Sequence, residues 1–371
     1  MINTGSSIEL TISLVRTISS NGFPTPYTEN IHRGLRQNGI ESKVVQFASS
    51  NFLGNGVISS DDVTIRKRLS KMEYNLVLGL FLPRYQFRDT SVVHLIEPNL
   101  LSFVKPNSRT VITIHDLYFF IRQKGNLSKR IFRLHNAQMY KASEKAQYVI
   151  TVSDFSRREI LTKTHLNPNK VRRIYPIIDT TLFTAGDSSF RRDYKIENSD
   201  ILLLNVSGPG ERKNLKFLLR AISELPEKYK LVHVGNLSKE DELLICKMGV
   251  SNKLINIDRT STLMLRDIYR ASDIYVHPSL FEGFGMPIAE AMASGCFVMG
   301  ANNTSIPEVI GNSGILFDPR DMSNFCELIL QYNRDDEFYA RKREEARARS
   351  LRFSTESIMP ELIDIYRKVI S

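Results

Sequence analysis

The 371-residue chain is poor in cysteine: Cys246, Cys296 and Cys326 are odd in number, far apart and set among apolar neighbours. That argues against a disulfide framework and against the paired spacing of a zinc site, and it fits a reducing cytoplasm. No uninterrupted apolar run approaches the roughly 18 residues of a spanning helix. The opening MINTGSSIELTISLVRT sets Glu9 among its apolar residues with no basic stretch ahead, which is not a secretory signal pattern. A repeat of fixed period and a low-complexity tract are both missing. The two Asp-Asp pairs, Asp61-Asp62 and Asp335-Asp336, fall in polar stretches that read as helical and belong to no D-x-D site, so they read as surface charge and no metal is expected.

What is present is globular: 42% hydrophobic and 24% charged residues, in a length that suggests two domains of about 150 residues. The 50 Lys and Arg exceed the 40 Asp and Glu, which is compatible with a nucleic acid, an anionic membrane or a phosphorylated ligand as partner. The excess is local. Residues 105–173 hold 15 basic and four acidic residues, a net of +11. It centres on the segment 122–145, which begins at Arg122 and ends at Lys145. Such a run fits a solvated helix face, and equally a surface against anionic headgroups or an acceptor phosphate.

Short apolar runs alternate with longer helical patterns throughout, the signature of an α/β protein with mainly parallel sheets. Strands are expected at 8–14, 42–47, 75–81, 92–96, 110–114 and 147–152, then at 201–206, 231–234, 254–257, 274–277, 296–299 and 315–317. The polar stretch 184–200 between the two series reads as the linker. Two doubly wound domains facing across a cleft follow, with ligands expected at the carboxyl ends of the strands.

The most informative string is HPSLFEGFGMPIAEAMASGCFVMGANNTSIPEVIGNSGILFDP, beginning at His277. Gly283 and Gly285 allow close backbone approach to a ligand, Pro287 suits the first turn of a helix and Gly295 its end. The glycines and proline prevent one continuous helix from carrying both Glu282 and Glu290. The first precedes the loop, and the second is expected in the first helical turn, where helix amides favour an anion. By themselves two such residues read as a solvent-facing and a helix-dipole carboxylate.

A second string, NVSGPGERKNLKFLLRAI, follows the first strand of the second series: Gly208 and Gly210 turn the chain, Arg212 and Lys213 present two cations, and Leu215, Leu218 and Leu219 mark a buried helical stripe. It is neither a P-loop nor a complete G-x-G-x-x-G. In VITIHDLYFF, His115 and Asp116 follow a buried strand and should project toward the cleft, and Ser153 is placed to cap a helix.

Taken whole, the first string resembles the donor-binding signature of glycosyltransferase family 4, retaining enzymes of the GT-B fold. Pro278, Ser279, Glu282, Gly283, Phe284, Gly285, Glu290, Ala291, Met292, Ala293 and Gly295 stand where the E-x7-E pattern has them, as do Pro307, Glu308, Gly314, Asp318 and Pro319. The resemblance covers nearly the whole chain and is densest over residues 205–319. It implies two Rossmann-like domains, at 1–184 on the acceptor side and 185–355 for the nucleotide sugar, with a C-terminal helix at 356–371 returning to the first.

The same resemblance implies transfer of a hexose from a nucleotide diphosphate sugar, GDP-mannose or a UDP-hexose, to an acceptor hydroxyl of a glycan, lipid-linked or soluble, with no other cofactor. Arg212 and Lys213, on the Gly208–Gly210 turn, would hold the diphosphate, and Glu290 the ribose hydroxyls. Glu282 with the backbone of Gly283, Phe284 and Gly285 would hold the sugar, and His115 would touch it from the first domain. Gly22 and Asp116 are the acceptor-side candidates; at Gly22 the chain departs from the family's usual Gly-Gly pair, carrying Asn21 before it. A cytoplasmic enzyme, peripheral on the membrane through the basic segment, is expected. Two other readings remain: a glycoside hydrolase using Glu282 and Glu290, which leaves the basic pair without a purpose, and a nucleic-acid-binding protein, which lacks interleaved exposed aromatics.

Overall fold

The computed structural model describes residues 10–17, 26–48, 62–66, 87, 91–102, 106–118, 140–332 and 336–371. Gly22, the strand expected at 75–81 and most of the basic segment, 119–139, lie outside them. The chain divides into two compact units, one of Met1–Ile177 with Thr355–Ser371, the other of Ile178–Ser354.

The first unit is a parallel sheet of order β3-β2-β1-β4-β5-β6-β7, formed by β1 (Thr11–Thr17), β2 (Glu41–Ala48), β3 (Asp62–Arg66), β4 (Val92–Leu95), β5 (Thr110–Ile114), β6 (Tyr148–Thr151) and β7 (Val171–Arg173). Helices α1 (Pro26–Gln37) and α2 (Asp154–Lys163) follow β1 and β6. Crossover connections let strands be buried on both faces, which is why every residue of β4 and β5 is buried, His94, Thr110 and Thr113 included, with no alternation between inner and outer positions. Ser153 caps α2 as expected, its side chain accepting from the Ser156 amide.

Two expectations need correction in this unit, and one strand lies outside those expected. Strand β1 continues past Leu14 to Thr17 through the buried Arg16, whose charge is met by Glu29 of α1 at 2.8 Å. An arginine looks like a strand end until its partner is known. Asp62 opens β3 and is not helical, since parallel pairing with Val44 of β2 outweighs the polar composition there. Strand β7, only Val-Arg-Arg, has too few residues to show any period and forms by pairing with β6.

The second unit is also fully parallel, of order β10-β9-β8-β11-β12-β13: β8 (Ile201–Val206), β9 (Tyr229–Val234), β10 (Leu254–Ile257), β11 (Ile274–His277), β12 (Phe297–Ala301) and β13 (Ile315–Phe317). The order is that of a dinucleotide-binding sheet, and it reverses direction between β8 and β11. Helix α3 (Leu215–Glu224) buries Leu215, Leu218, Leu219 and Ile222 against Leu203, Val276 and Phe325. Each such side chain, fully buried, contributes on the order of 1.5–3 kcal/mol. Around the sheet follow α4 (Lys239–Met248), α5 (Thr262–Ala271), α6 (Met286–Ala293), α7 (Ile306–Ile310), α8 (Met322–Leu330) and α9 (Glu337–Ser350).

The polar stretch expected as a linker is packed into this unit. Phe190 is buried, Arg191 meets Asp273 at 2.6 Å, and Arg270 donates to the Thr184 carbonyl. The division therefore falls at Ile177, before Thr184. From Thr355 the chain belongs to the first unit again, where α10 (Thr355–Ile370) buries Met359, Leu362 and Tyr366. Tyr366 Oη lies 2.7 Å from His94 Nδ1 of β4. Among the described residues, no helix is long and apolar enough to cross a membrane.

Candidate functional site

The loops leaving β8 and β11 meet at the point where the strand order reverses, the place where open α/β sheets hold ligands. The first runs Ser207-Gly208-Pro209-Gly210 into a single tight turn, Glu211–Lys213. Asn214 then adopts a left-handed conformation, φ 56°, which asparagine tolerates better than most residues. Its Nδ2 donates to the Pro278 carbonyl at 3.2 Å, and the Leu280 amide donates to the Arg212 carbonyl at 2.7 Å. These bonds tie the two loops together and aim Arg212 and Lys213 at the second loop.

Glu282 receives them. Lys213 Nζ lies 2.5 Å from Oε1, and Arg212 Nη1 lies 3.4 Å from Oε2 and 3.3 Å from the Phe281 carbonyl. His277, at the end of β11, reaches Oε1 at 3.1 Å. The Glu282 amide donates to Thr304 Oγ1, and its carbonyl accepts from Ser305 Oγ. Burial alone would raise the Glu282 pKa, but the His277 hydrogen bond and the two cations hold it well below the usual carboxylate range. Burial and the same cations lower His277, so the imidazole is neutral beside an ionised carboxylate.

Gly208 and Gly210 are exposed on the first loop, while Gly283, Phe284 and Gly285 are buried on the second. Phe284 packs edge-on against Phe353. Gly285 precedes α6 as its N-cap at φ 96°, and a Cβ there would come within 2.8 Å of Ile288 Cδ1, so the turn requires glycine.

Glu290 is not in the first turn of α6 as expected. The helix begins at Met286, which makes Glu290 its fifth residue, beyond the reach of the free N-terminal amides. It is 7% exposed and takes a hydrogen bond from Tyr269 Oη at 2.9 Å. Burial raises its pKa to about 7, with the Tyr269 bond opposing. One carboxylate of the pair is thus fixed as an anion by cations, and the other is poised near neutrality.

The first-unit candidates are placed at the carboxyl end of β5. His115 is half-buried, its Nε2 donates to the Ile96 carbonyl at 3.1 Å, and its ring meets Tyr27 edge-on at 4.8 Å. Burial lowers its pKa, so it is neutral with Nδ1 left as acceptor. Asp116 accepts from the Tyr118 amide at 2.8 Å, closing a local turn. Sequence reasoning missed His277, Tyr275, Tyr269 and Thr304. Three of these stand in or beside apolar runs and read there as core, and only the folded register turns their polar atoms toward the two glutamates.

Two doubly wound parallel sheets, one carrying a basic pair and two buried carboxylates at its switch point, define an α/β enzyme of GT-B architecture. Comparison with known proteins bears this out. Residues 187–349 match the family described as Glycosyl transferases group 1, and residues 25–182 match Glycosyltransferase Family 4. The O-antigen chain mannosyltransferase B of Escherichia coli is 31% identical over 280 residues, covering 70% of either chain. The serotype-specific mannosyltransferase WbdA of the same organism is 28% identical over 66% of this chain, which spans only 32% of that longer protein. The sucrose-phosphate synthase of Thermosynechococcus elongatus superposes with a TM-score of 0.78 at 17% identity, covering 97% of this chain and 99% of that one. The chain belongs to the family 4, group 1 glycosyltransferases and is an enzyme of glycosyl transfer.

Proposed function

We propose that this glycosyltransferase moves a hexose, with mannose preferred, from a nucleotide diphosphate sugar to a hydroxyl of a glycan acceptor with retention of anomeric configuration. The observation that carries the reading is the convergence of Arg212, Lys213 and Glu282 at the switch point, with Glu290 on the helix that follows. Fixed cations in a dry site stabilise the negative charge that grows on a departing diphosphate. Buried carboxylates accept hydrogen bonds from sugar and ribose hydroxyls strongly.

In this scheme Arg212 and Lys213, with the Gly208–Gly210 turn, hold the diphosphate. Glu290 takes the ribose hydroxyls, Glu282 and the 283–285 backbone take the sugar, and His115 contributes an acceptor nitrogen. The bond from the anomeric carbon to the β-phosphate oxygen breaks as the acceptor oxygen bonds to the same face of that carbon. The acceptor proton passes to a phosphate oxygen. The similarity to an O-antigen chain mannosyltransferase and to a serotype-specific mannosyltransferase supports mannose as the sugar and a growing glycan chain as the acceptor. A cytoplasmic location, peripheral on anionic membrane through the segment 122–145, accompanies that acceptor.

The test is calorimetry against GDP-mannose, UDP-glucose and UDP-galactose, followed by product analysis with the anomeric configuration read by NMR. Tight binding of one donor and a retained linkage are expected. An inverted product, or no affinity for any nucleotide sugar, overturns the proposal. Co-sedimentation with anionic vesicles, weakened at high salt, tests the membrane contact separately.

A further inference from the structure

Glu282 is held from two sides that differ in kind. On one side stand Lys213 and Arg212, 17% and 30% exposed at their side chains. On the other is His277, 1% exposed and inaccessible to any ligand. An ionised carboxylate only accepts, so His277 Nε2 carries the proton and donates to Oε1. Nδ1 is then the acceptor, and Tyr275 Oη, 2.8 Å away and fully buried, donates to it. The chain Tyr275 to His277 to Glu282 therefore has one direction throughout, which fixes the imidazole tautomer and the carboxylate plane.

The division of labour on the carboxylate follows from the distances. Oε1 accepts from both His277 and Lys213, whereas among the described residues Oε2 has only the long contact from Arg212. Oε2 retains the larger share of free acceptor capacity. If the cations turn toward a diphosphate, Glu282 loses the partners that neutralise it and keeps the buried one.

We infer that His277 is a positioning residue for the sugar: it anchors Glu282 Oε1 from below, so that Oε2 stays presented to a donor-sugar hydroxyl when Lys213 and Arg212 engage the diphosphate. The inference rests on the donor-site reading above and adds a specificity element to it. The anchor serves recognition of the hexose, and the nucleotide portion is held elsewhere. Loss of His277 should therefore separate two affinities that a general loosening of the site would reduce together.

The experiment compares wild type with His277→Leu, His277→Gln and Tyr275→Phe. Each is titrated with the nucleotide diphosphate alone and with the matching nucleotide sugar, and turnover is measured at saturating donor. A glutamine places an amide near the position of Nε2 and can restore the bond to Glu282. For His277→Leu the nucleotide diphosphate should bind within about twofold of wild type, while nucleotide-sugar affinity and kcat fall roughly tenfold or more. His277→Gln should recover most of that loss, and Tyr275→Phe should show a smaller loss of the same pattern. Equal weakening of both ligands, or wild-type kinetics in His277→Leu, overturns the inference. Should His277→Leu fail to fold, Tyr275→Phe decides the matter by the same split. A wild-type protein that binds no nucleotide sugar defeats instead the donor-site reading, so the two failures are distinct.

Discussion

Glu290 is the site carboxyl whose charge changes in the range where enzymes are assayed. Its pKa of about 7 in the folded protein lies above the ordinary carboxyl value because it is buried, and the hydrogen bond from Tyr269 only partly offsets that burial. If it accepts from ribose hydroxyls, nucleotide affinity should rise about tenfold between pH 6 and pH 8, following the ionised fraction. In Glu290→Gln affinity should be lower and flat over that range, as titration calorimetry would record. Stability has the opposite sign. The native state holds the proton between the unfolded and folded pKa values, so stability falls as pH rises through that window. Wild type should lose on the order of 3 kcal/mol relative to Glu290→Gln between pH 4.5 and 8, measured by urea unfolding. Lys213→Ala should lower kcat roughly 100-fold or more at saturating donor by removing a fixed cation from the leaving group. These four residues, Arg212, Lys213, Glu282 and Glu290, are visible in the sequence because each stands in a string of unusual composition. His277 and Tyr275 are not, because a histidine and a tyrosine within Ile-Tyr-Val-His look like any strand interior.

At the scale of elements, the site depends on how tightly loops approach strands. Gly235 follows β9 at φ 146°, and a Cβ there would sit 1.9 Å from the Ser207 carbonyl oxygen at the start of the cation-bearing loop. Neither backbone can yield without breaking the β8 to β9 pairing, in which Ser207 donates to the Val234 carbonyl. Gly235→Ala should destabilise the second unit by about 2 kcal/mol or more, seen in a denaturant melt, and should weaken nucleotide binding at the same time. Strands β8 and β11 are legible within a residue because strands buried on both faces give continuous apolar runs, and the half-buried edge strands β10 and β13 because their short runs are still mainly apolar. Strand β3, opening with an aspartate, and the three-residue β7 are not, since pairing with β2 and β6 supplies what their own sequences lack. The same reason applies to β1, whose last residues hinge on a salt bridge to α1.

For the molecule as a whole, the consequential fact is that the chain ends in the unit where it began. Helix α10 buries Tyr366 against His94, and burial pushes the His94 pKa down to about 3, so the pair is a neutral hydrogen bond. His94 Nε2 continues to Thr113 at 2.8 Å, and Thr113 to Tyr27 at 3.2 Å, whose ring touches His115. Tyr366→Phe leaves a buried imidazole nitrogen without a partner and should destabilise the first unit by about 1–3 kcal/mol. Hydrogen exchange should report faster opening of β4 and β5, with β8 to β13 unchanged. Loss of protection spread evenly over both units would contradict the assignment of the helix to one of them.

The sequence by itself determined the fold class and the two-sheet organisation, because parallel strands impose a local composition that does not depend on distant residues, and the string beginning at His277 carried the resemblance to the glycosyltransferase family. Only the tertiary structure decided which atoms meet. Lys213 and Glu282 are 69 positions apart, Tyr269 and Glu290 are 21, and His94 and Tyr366 are 272. Protonation states followed from those meetings: one buried glutamate beside two cations is locked as an anion, and another beside a tyrosine is left near neutrality. Charge in a low-dielectric interior is set by neighbours in space, and no spacing along the chain encodes it.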